Sequence, residues 1–121
     1  MNPLNSEGFD AQALLGRVHG DLNLLRELID LFAAEVPEML ARIEKAIQDG
    51  SPSEMEKASH KIKGSMLQFS AQTAANMARQ LEERGHSGSM AGAGMLLEKL
   101  RKEIDALHQT LRAMLQNGPT R

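Results

Sequence analysis

His60 lies in a segment of helical periodicity whose apolar stripe points almost directly away from it. The stripe contains Met55, Ile62 and Met66. At 100° per residue, His60 is separated from it by roughly 160° around the helix. We therefore expect an exposed imidazole rather than a core histidine. Such an imidazole is mostly neutral at neutral pH, and its free ring nitrogen can attack phosphorus.

Four other residues share the exposed line of this helix with His60: Glu56, Lys63, Gly64 and Leu67. A glycine inside a helix costs about 1 kcal/mol relative to alanine, and on an exposed face no core packing requires it. We interpret Gly64 as space that lets another macromolecule approach the imidazole. Lys63 would favour a phosphoryl group through its charge and its N–H donors.

The surroundings of the imidazole form a candidate docking surface. Leu67 would add apolar area to it if exposed; the alternative is that Leu67 is buried in the bundle. Glu56 and Lys61 border the same surface, although Lys61 alone would usually be a solvated charge. Glu56 and His60 are spaced i, i+4, but two ligands without a third make a weak metal site, so we predict no bound metal.

Catalytic machinery is missing around His60. The sequence has no glycine-rich phosphate loop, no magnesium site and no second catalytic group near this residue. A transfer reaction at this imidazole would therefore take its catalysis from a partner protein. We expect a phosphocarrier without a cofactor, not an enzyme.

The length and composition of the chain exclude further kinds of site and further classes of protein. The 121 residues suffice for one domain, and the absence of cysteine excludes disulfides and thiolate sites. A net charge of -2 and 2% aromatic residues argue against nucleic-acid binding. There is neither an apolar run of membrane-spanning length nor a signal peptide. We expect a cytoplasmic monomer without direct membrane contact.

Apolar periodicity predicts five helices. The second has the longest stripe, and Pro37 falls inside it without disturbing the phase, which suggests one kinked helix. The first four predicted helices span residues 10–18, 21–49, 51–69 and 71–84, and Gly85 closes the fourth. A glycine-rich loop at 85–94 follows, and the fifth helix runs from the end of this loop to about residue 116. These elements predict an all-α fold, an up-down antiparallel four-helix bundle with a short extra N-terminal helix.

The domain is expected to cover residues 10–116, between a flexible N-terminus at 1–9 and a disordered tail at 117–121. The remaining histidines, His19, His86 and His108, are expected in a loop or on exposed faces as solvated residues.

The string from His60 to Ser65, followed by Phe69-Ser70-Ala71, resembles the signature of histidine-containing phosphotransfer (HPt) domains. Similar residues follow the family pattern in the same order over residues 10–115. The resemblance implies that His60 accepts phosphate, Lys63 stabilises it and Gly64 gives access.

The sequence departs from the family pattern at two places. Ser70 stands where relatives commonly have glycine, which affects only the turn. The position facing the histidine is often glutamine in relatives, and Glu82 occupies it here, with Gln80 as a second candidate. A carboxylate there would repel phosphate unless Lys63 pairs with it.

The resemblance implies a phosphorelay intermediate in two-component signalling. His60 would take a phosphoryl group on Nε2 from a receiver-domain aspartyl phosphate and pass it to another response regulator. The partners would be receiver domains, which supply magnesium, and a sensor or hybrid histidine kinase. The alternative is a non-catalytic helical adaptor that binds a signalling partner through the same face. A phosphorylated domain of a chemotaxis-type kinase would need ATP-binding and dimerisation domains that this sequence lacks.

Overall fold

A computed structural model describes residues 9–117, and this part of the chain is all-helical. The five helices are α1 (Ala11–Arg17), α2 (Leu22–Gln48), α3 (Pro52–Gln68), α4 (Gln72–His86) and α5 (Ala93–Asn117). Helices α2 to α5 pack in sequence order around one core, so α3 and α5 are diagonally opposed. The predicted fold class, a four-helix bundle with a short leading helix, is confirmed. No helix within residues 9–117 combines the length and apolarity needed to cross a bilayer.

The N-terminal side of the domain begins earlier than predicted. Phe9, which we assigned to a flexible terminus, is only 6% exposed and forms an isolated antiparallel bridge with Ala71. The Asp10 backbone N–H donates to the Ser70 carbonyl at 3.1 Å. Asp10 also caps α1 by accepting from the Ala13 N–H. At the other end, Asn117 belongs to α5 rather than to a tail. The predicted disorder of residues 1–8 and 118–121 concerns segments outside the described residues.

The second helix runs through Pro37 without interruption, as its apolar phase indicated. Asp21 caps its first turn by accepting from the N–H groups of Asn23 and Leu24. Its central stripe is buried, from Leu25 to Ile43. The continuous stripe outweighs the hydrogen bond that the proline removes.

Gly85 does not close α4, contrary to our prediction. It lies inside the helix and is buried against α3, where a Cβ atom would come within 2.6 Å of the Pro52 carbonyl oxygen and 2.7 Å of the Glu56 nitrogen. The glycine therefore permits a close approach of the two backbones. A helix-ending glycine and a packing glycine look alike in a sequence, which explains the error. The loop is correspondingly shorter, covering residues 87–92.

His108 is also placed differently from our expectation. It is half-buried rather than solvated, and its ring stacks on Phe32 with centroids 5.9 Å apart and planes 2° from parallel. In α3, Ser59 is fully buried, whereas Ala58, which helical spacing places in the same apolar stripe as Ile62, is only half-buried. These differences in burial follow from the direction in which neighbouring helices approach, and periodicity alone does not specify that direction.

The turn between α3 and α4 contains a strained residue. Ser70 has a φ of 56°, and its hydroxyl is shielded from solvent without a hydrogen-bond partner among the described residues. A left-handed conformation costs a non-glycine residue roughly 1–2 kcal/mol, and an unsatisfied buried hydroxyl adds to this cost. A glycine at this position would remove both problems.

We predict that Ser70→Gly stabilises the protein by about 1 kcal/mol, after allowance for the greater chain entropy of unfolded glycine. Urea unfolding followed by circular dichroism would measure the change. Ser70→Ala is the matched control, because it removes the hydroxyl and keeps the unfavourable φ, so its gain should be smaller. A glycine variant no more stable than the alanine variant would contradict the role assigned to φ.

Candidate functional site

His60 projects from the exposed side of α3, as the helical periodicity predicted. Its side chain is 68% exposed, while Met55, Ile62 and Met66 on the opposite side of the helix are fully buried. Helix α3 begins with Ser51 as its N-cap and Pro52 in its first turn, both typical of a helix start. The imidazole is thus held on the outer side of a regular helix whose opposite side packs into the bundle core.

Glu82 of α4 connects His60 and Lys63. Its Oε2 lies 2.5 Å from His60 Nδ1, and its Oε1 lies 2.7 Å from Lys63 Nζ. Gly85 follows Glu82 by one helical turn, so the close approach of α4 to α3 at Gly85 brings the carboxylate within reach. Glu82 and Lys63 are 18% and 24% exposed, so both contacts are partly shielded from water. The polar residue facing the histidine is a carboxylate, and it is paired with lysine.

The electrostatics of this cluster determine which imidazole nitrogen is free. Burial raises the pKa of the Glu82 carboxyl, but hydrogen bonds from Lys63 and His60 and the attraction of their charges outweigh it, so the pKa is lowered overall. Glu82 is therefore ionised at neutral pH and can only accept hydrogen bonds. It follows that Nδ1 carries the proton and donates it to Glu82. In the neutral ring, Nε2 then keeps its lone pair on the side away from the carboxylate.

Gly64 has open space around it. Apart from its chain neighbours and the backbone of its own helix, a Cβ atom added at this position would meet no atom within 4 Å, so no packing in the described structure requires glycine here. Leu67, one turn further along, is 41% exposed. The alternative that Leu67 is buried in the bundle is therefore excluded. On the C-terminal side of His60, α3 therefore presents the open space at Gly64 and the exposed apolar side chain of Leu67.

The other candidate residues are placed away from this cluster. Gln80 precedes Glu82 by two residues and lines a shallow depression with Glu83 and Arg84 instead of facing His60. Lys61 lies on the flank of α3 that faces α2. Glu56 turns toward α4, where its Oε2 lies 2.9 Å from Nδ1 of His86.

The sequence analysis missed His86 as a member of this surface. It lies in the last turn of α4 rather than in a loop, one turn beyond Glu82. The pair Glu56–His86 repeats the pair Glu82–His60 with the helices exchanged, and both imidazoles use Nδ1. The signal was available in principle: with Gly85 placed inside α4, Glu82 and His86 have i, i+4 spacing on one face.

The cluster around His60 can supply a nucleophile but offers few other groups that could take part in a reaction. It contains an exposed imidazole with a free nitrogen, a neighbouring ammonium group and a path for a large partner. Within residues 9–117, no cluster of three or more His, Asp or Glu side chains could hold a metal ion.

Comparison with known proteins agrees with this geometry. The Hpt domain family matches residues 27–110, which is more than half of the chain and includes His60, Lys63, Gly64 and Glu82. The fold resembles the crystal structure of histidine-containing phosphotransfer protein B (HptB) from Pseudomonas aeruginosa PAO1, with a TM-score of 0.86 and 21% sequence identity. That alignment covers 93% of this chain and 98% of the other. No curated protein sequence gives a significant match. The chain thus belongs to the Hpt domain family, whose members carry phosphoryl groups between histidine kinases and response regulators in phosphorelays.

Proposed function

We propose that His60 accepts a phosphoryl group on Nε2 from the aspartyl phosphate of a receiver domain and passes it to a second response regulator. The observation that carries this proposal is the contact of His60 Nδ1 with ionised Glu82, which leaves Nε2 as the free, exposed nucleophile. We further propose that the protein acts as a cytoplasmic monomer without nucleic acid, cofactor or metal of its own, and that the receiver supplies magnesium.

The transfer step needs no proton movement at the reacting nitrogen. The lone pair of Nε2 forms the N–P bond, and the electrons of the broken P–O bond return to the aspartate carboxylate. The product is a phosphorylated imidazole that still carries its Nδ1 proton, so its ring gains positive charge as the bond forms. Glu82 faces this proton and stabilises that charge. Transfer to the next receiver is the same step in reverse.

Two features limit the repulsion that Glu82 would exert on phosphate. Its carboxylate contacts Nδ1, on the side of the ring away from Nε2, and Lys63 neutralises its charge at 2.7 Å. The Lys63 ammonium group has three N–H donors, of which Glu82 engages one. The remaining donors are available for a phosphoryl oxygen.

Exposed apolar residues of α2 and α3 support docking of a folded partner. Leu24 and Leu31 of α2 are 38% and 54% exposed, and Leu67 of α3, about two turns beyond His60, is 41% exposed. A groove between α1, α2 and the end of α3 is lined by Leu14, Leu24, Leu28 and Phe69, among others. We propose that the receiver covers this surface while Gly64 leaves room for its approach.

Phosphoryl uptake by the wild-type protein tests the proposal. The protein would be mixed with receiver domains charged by a small phosphodonor and magnesium, and its intact mass would be read under neutral conditions. We expect uptake of one phosphoryl group, lost after brief acid treatment because phosphoramidates are acid-labile. Uncharged receivers are the control. The absence of uptake from every receiver of a panel, by a protein that circular dichroism shows to be helical, would contradict the proposal.

A further inference from the structure

A groove of about 580 Å³ lies between α2 and α3 on the flank of α3 that faces α2. Apolar residues from both helices line it: Met39, Ala46 and Ala58. Its other lining residues are charged, and the basic ones are Arg42, Lys45, Lys57 and Lys61. We refer to this feature, with these residues and Asp49 and Glu54, as the basic groove.

The positive charge of the basic groove is largely uncompensated. Lys45 pairs with Asp49 at 3.2 Å, but Arg42, Lys57 and Lys61 form no ion pair within residues 9–117. Four basic and two acidic side chains give the groove a formal charge of +2, in a chain of net charge -2. The basic residues are also exposed. The groove is thus a positive patch on a protein that is otherwise acidic.

The groove lies beside His60 but is separate from the cluster described above. Lys57 precedes His60 by one turn and Lys61 follows it directly, whereas Lys63 points to the other flank of the helix and contacts Glu82. In this cluster the Glu82 carboxylate and the Lys63 ammonium group neutralise each other. Attraction of an anionic partner must therefore come from elsewhere on this face, and the basic groove is the nearest source.

We propose that the basic groove docks an acidic amphipathic segment of the protein that exchanges phosphoryl groups with His60; this rests on the proposed function. The partner's carboxylates pair with Arg42, Lys57 and Lys61, and its apolar side chains cover the apolar floor. A small anion would use the charges and leave the floor exposed. A protein segment uses both parts of the groove, which favours it as the occupant.

The first test measures the rate of phosphoryl transfer from a charged receiver domain as a function of salt. The variant R42Q/K57Q/K61Q removes three positive charges from the groove. The control K99Q/K102Q/R112Q removes three from exposed positions of α5, diagonally across the bundle from α3. At low salt we expect the second-order rate to fall about tenfold or more in the groove variant and less than about twofold in the control. The difference should shrink near 1 M salt, where the Debye length is about 3 Å.

The second test needs no phosphoryl transfer and so separates this proposal from the proposed function. The probe is a fluorescent synthetic helix with glutamates and leucines on one face, and its anisotropy is read with the His60→Gln protein. We expect salt-dependent binding that the groove variant loses and the α5 control keeps. Equal binding or equal transfer by the two triple variants would overturn the proposal. So would inorganic phosphate occupying the groove while the peptide does not bind.

Discussion

Substitution of His60 by Gln is expected to abolish phosphoryl uptake from a charged receiver domain and to leave the bundle folded. Glutamine has no nitrogen lone pair that can form a stable N–P bond, so it cannot replace the imidazole as the nucleophile. The side chain at this position is 68% exposed, so we expect a stability change within about 0.5 kcal/mol. Intact mass under neutral conditions and thermal unfolding would measure the two effects.

The matched control for this substitution is His86→Gln. His86 is also exposed, and its Nδ1 also contacts a carboxylate, that of Glu56, at 2.9 Å. It lies in the last turn of α4, whereas Lys63 and Gly64 follow His60 on α3. We expect His86→Gln to keep full uptake. Uptake that survives in His60→Gln and is lost in His86→Gln would move the assignment to the other imidazole.

The His60→Gln variant also discriminates between a relay and an adaptor. A helical adaptor would use the face of α3 for binding, and its function would not depend on a nucleophile. His60→Gln would then retain both partner binding and biological function. A relay protein retains binding and loses function. Partner affinity and signalling output therefore have to be measured on the same variant.

The exposed side of the site could be predicted because it depends on local periodicity. The stripe through Met55, Ile62 and Met66 fixes the direction of the core, and the position of His60 around α3 follows from it. The exposure of Gly64 follows by the same reasoning. The structure adds that an extra Cβ there would meet open space, which leaves no intramolecular reason for glycine.

Contacts between helices could not be predicted from periodicity. The contact of Glu82 with His60 depends on the distance between α3 and α4, and this distance is set by Gly85 against the backbone at Pro52 and Glu56. The family resemblance suggested Glu82 as the facing residue, but its simultaneous contact with Lys63 required the structure. His108 shows the same limit, because its stacking on Phe32 depends on how α5 approaches α2.

Glu82 is expected to be the residue whose loss most reduces transfer while leaving the nucleophile in place. Its carboxylate fixes the Nδ1 proton of His60 and faces the charge that develops on the ring. Carboxylates that orient metal-binding histidines in the same way contribute about 10- to 100-fold to affinity or activity. We therefore expect Glu82→Ala to lower the rate of uptake by about 10- to 100-fold. Glu82→Gln should lose less, because its amide oxygen still accepts the Nδ1 hydrogen bond. Stopped reactions read by intact mass would give the rates.

A merely structural role for Glu82 predicts a different pattern. The neighbouring Glu83, which pairs with Arg79 on the surface of α4, provides the control Glu83→Gln, and this variant should transfer at the wild-type rate. If repulsion between the carboxylate and phosphate dominated instead, Glu82→Ala would transfer faster than the wild type. Equal or faster transfer by Glu82→Ala would thus refute the positioning role.

The pH dependence of stability gives a readout of the Glu82 charge that is independent of transfer. Folding lowers the pKa of this carboxyl from its ordinary value of 4.5, so the folded state binds its proton less readily than the unfolded state. The contribution to stability is therefore present above pH 4.5 and is lost as the pH falls through the folded pKa. Glu82→Gln has no such proton to bind, so its unfolding free energy should fall less than that of the wild type on acidification. Parallel acid limbs in the two proteins would show that folding does not lower this pKa, and that the pairing of Glu82 with Lys63 and His60 does not stabilise the ionised carboxylate.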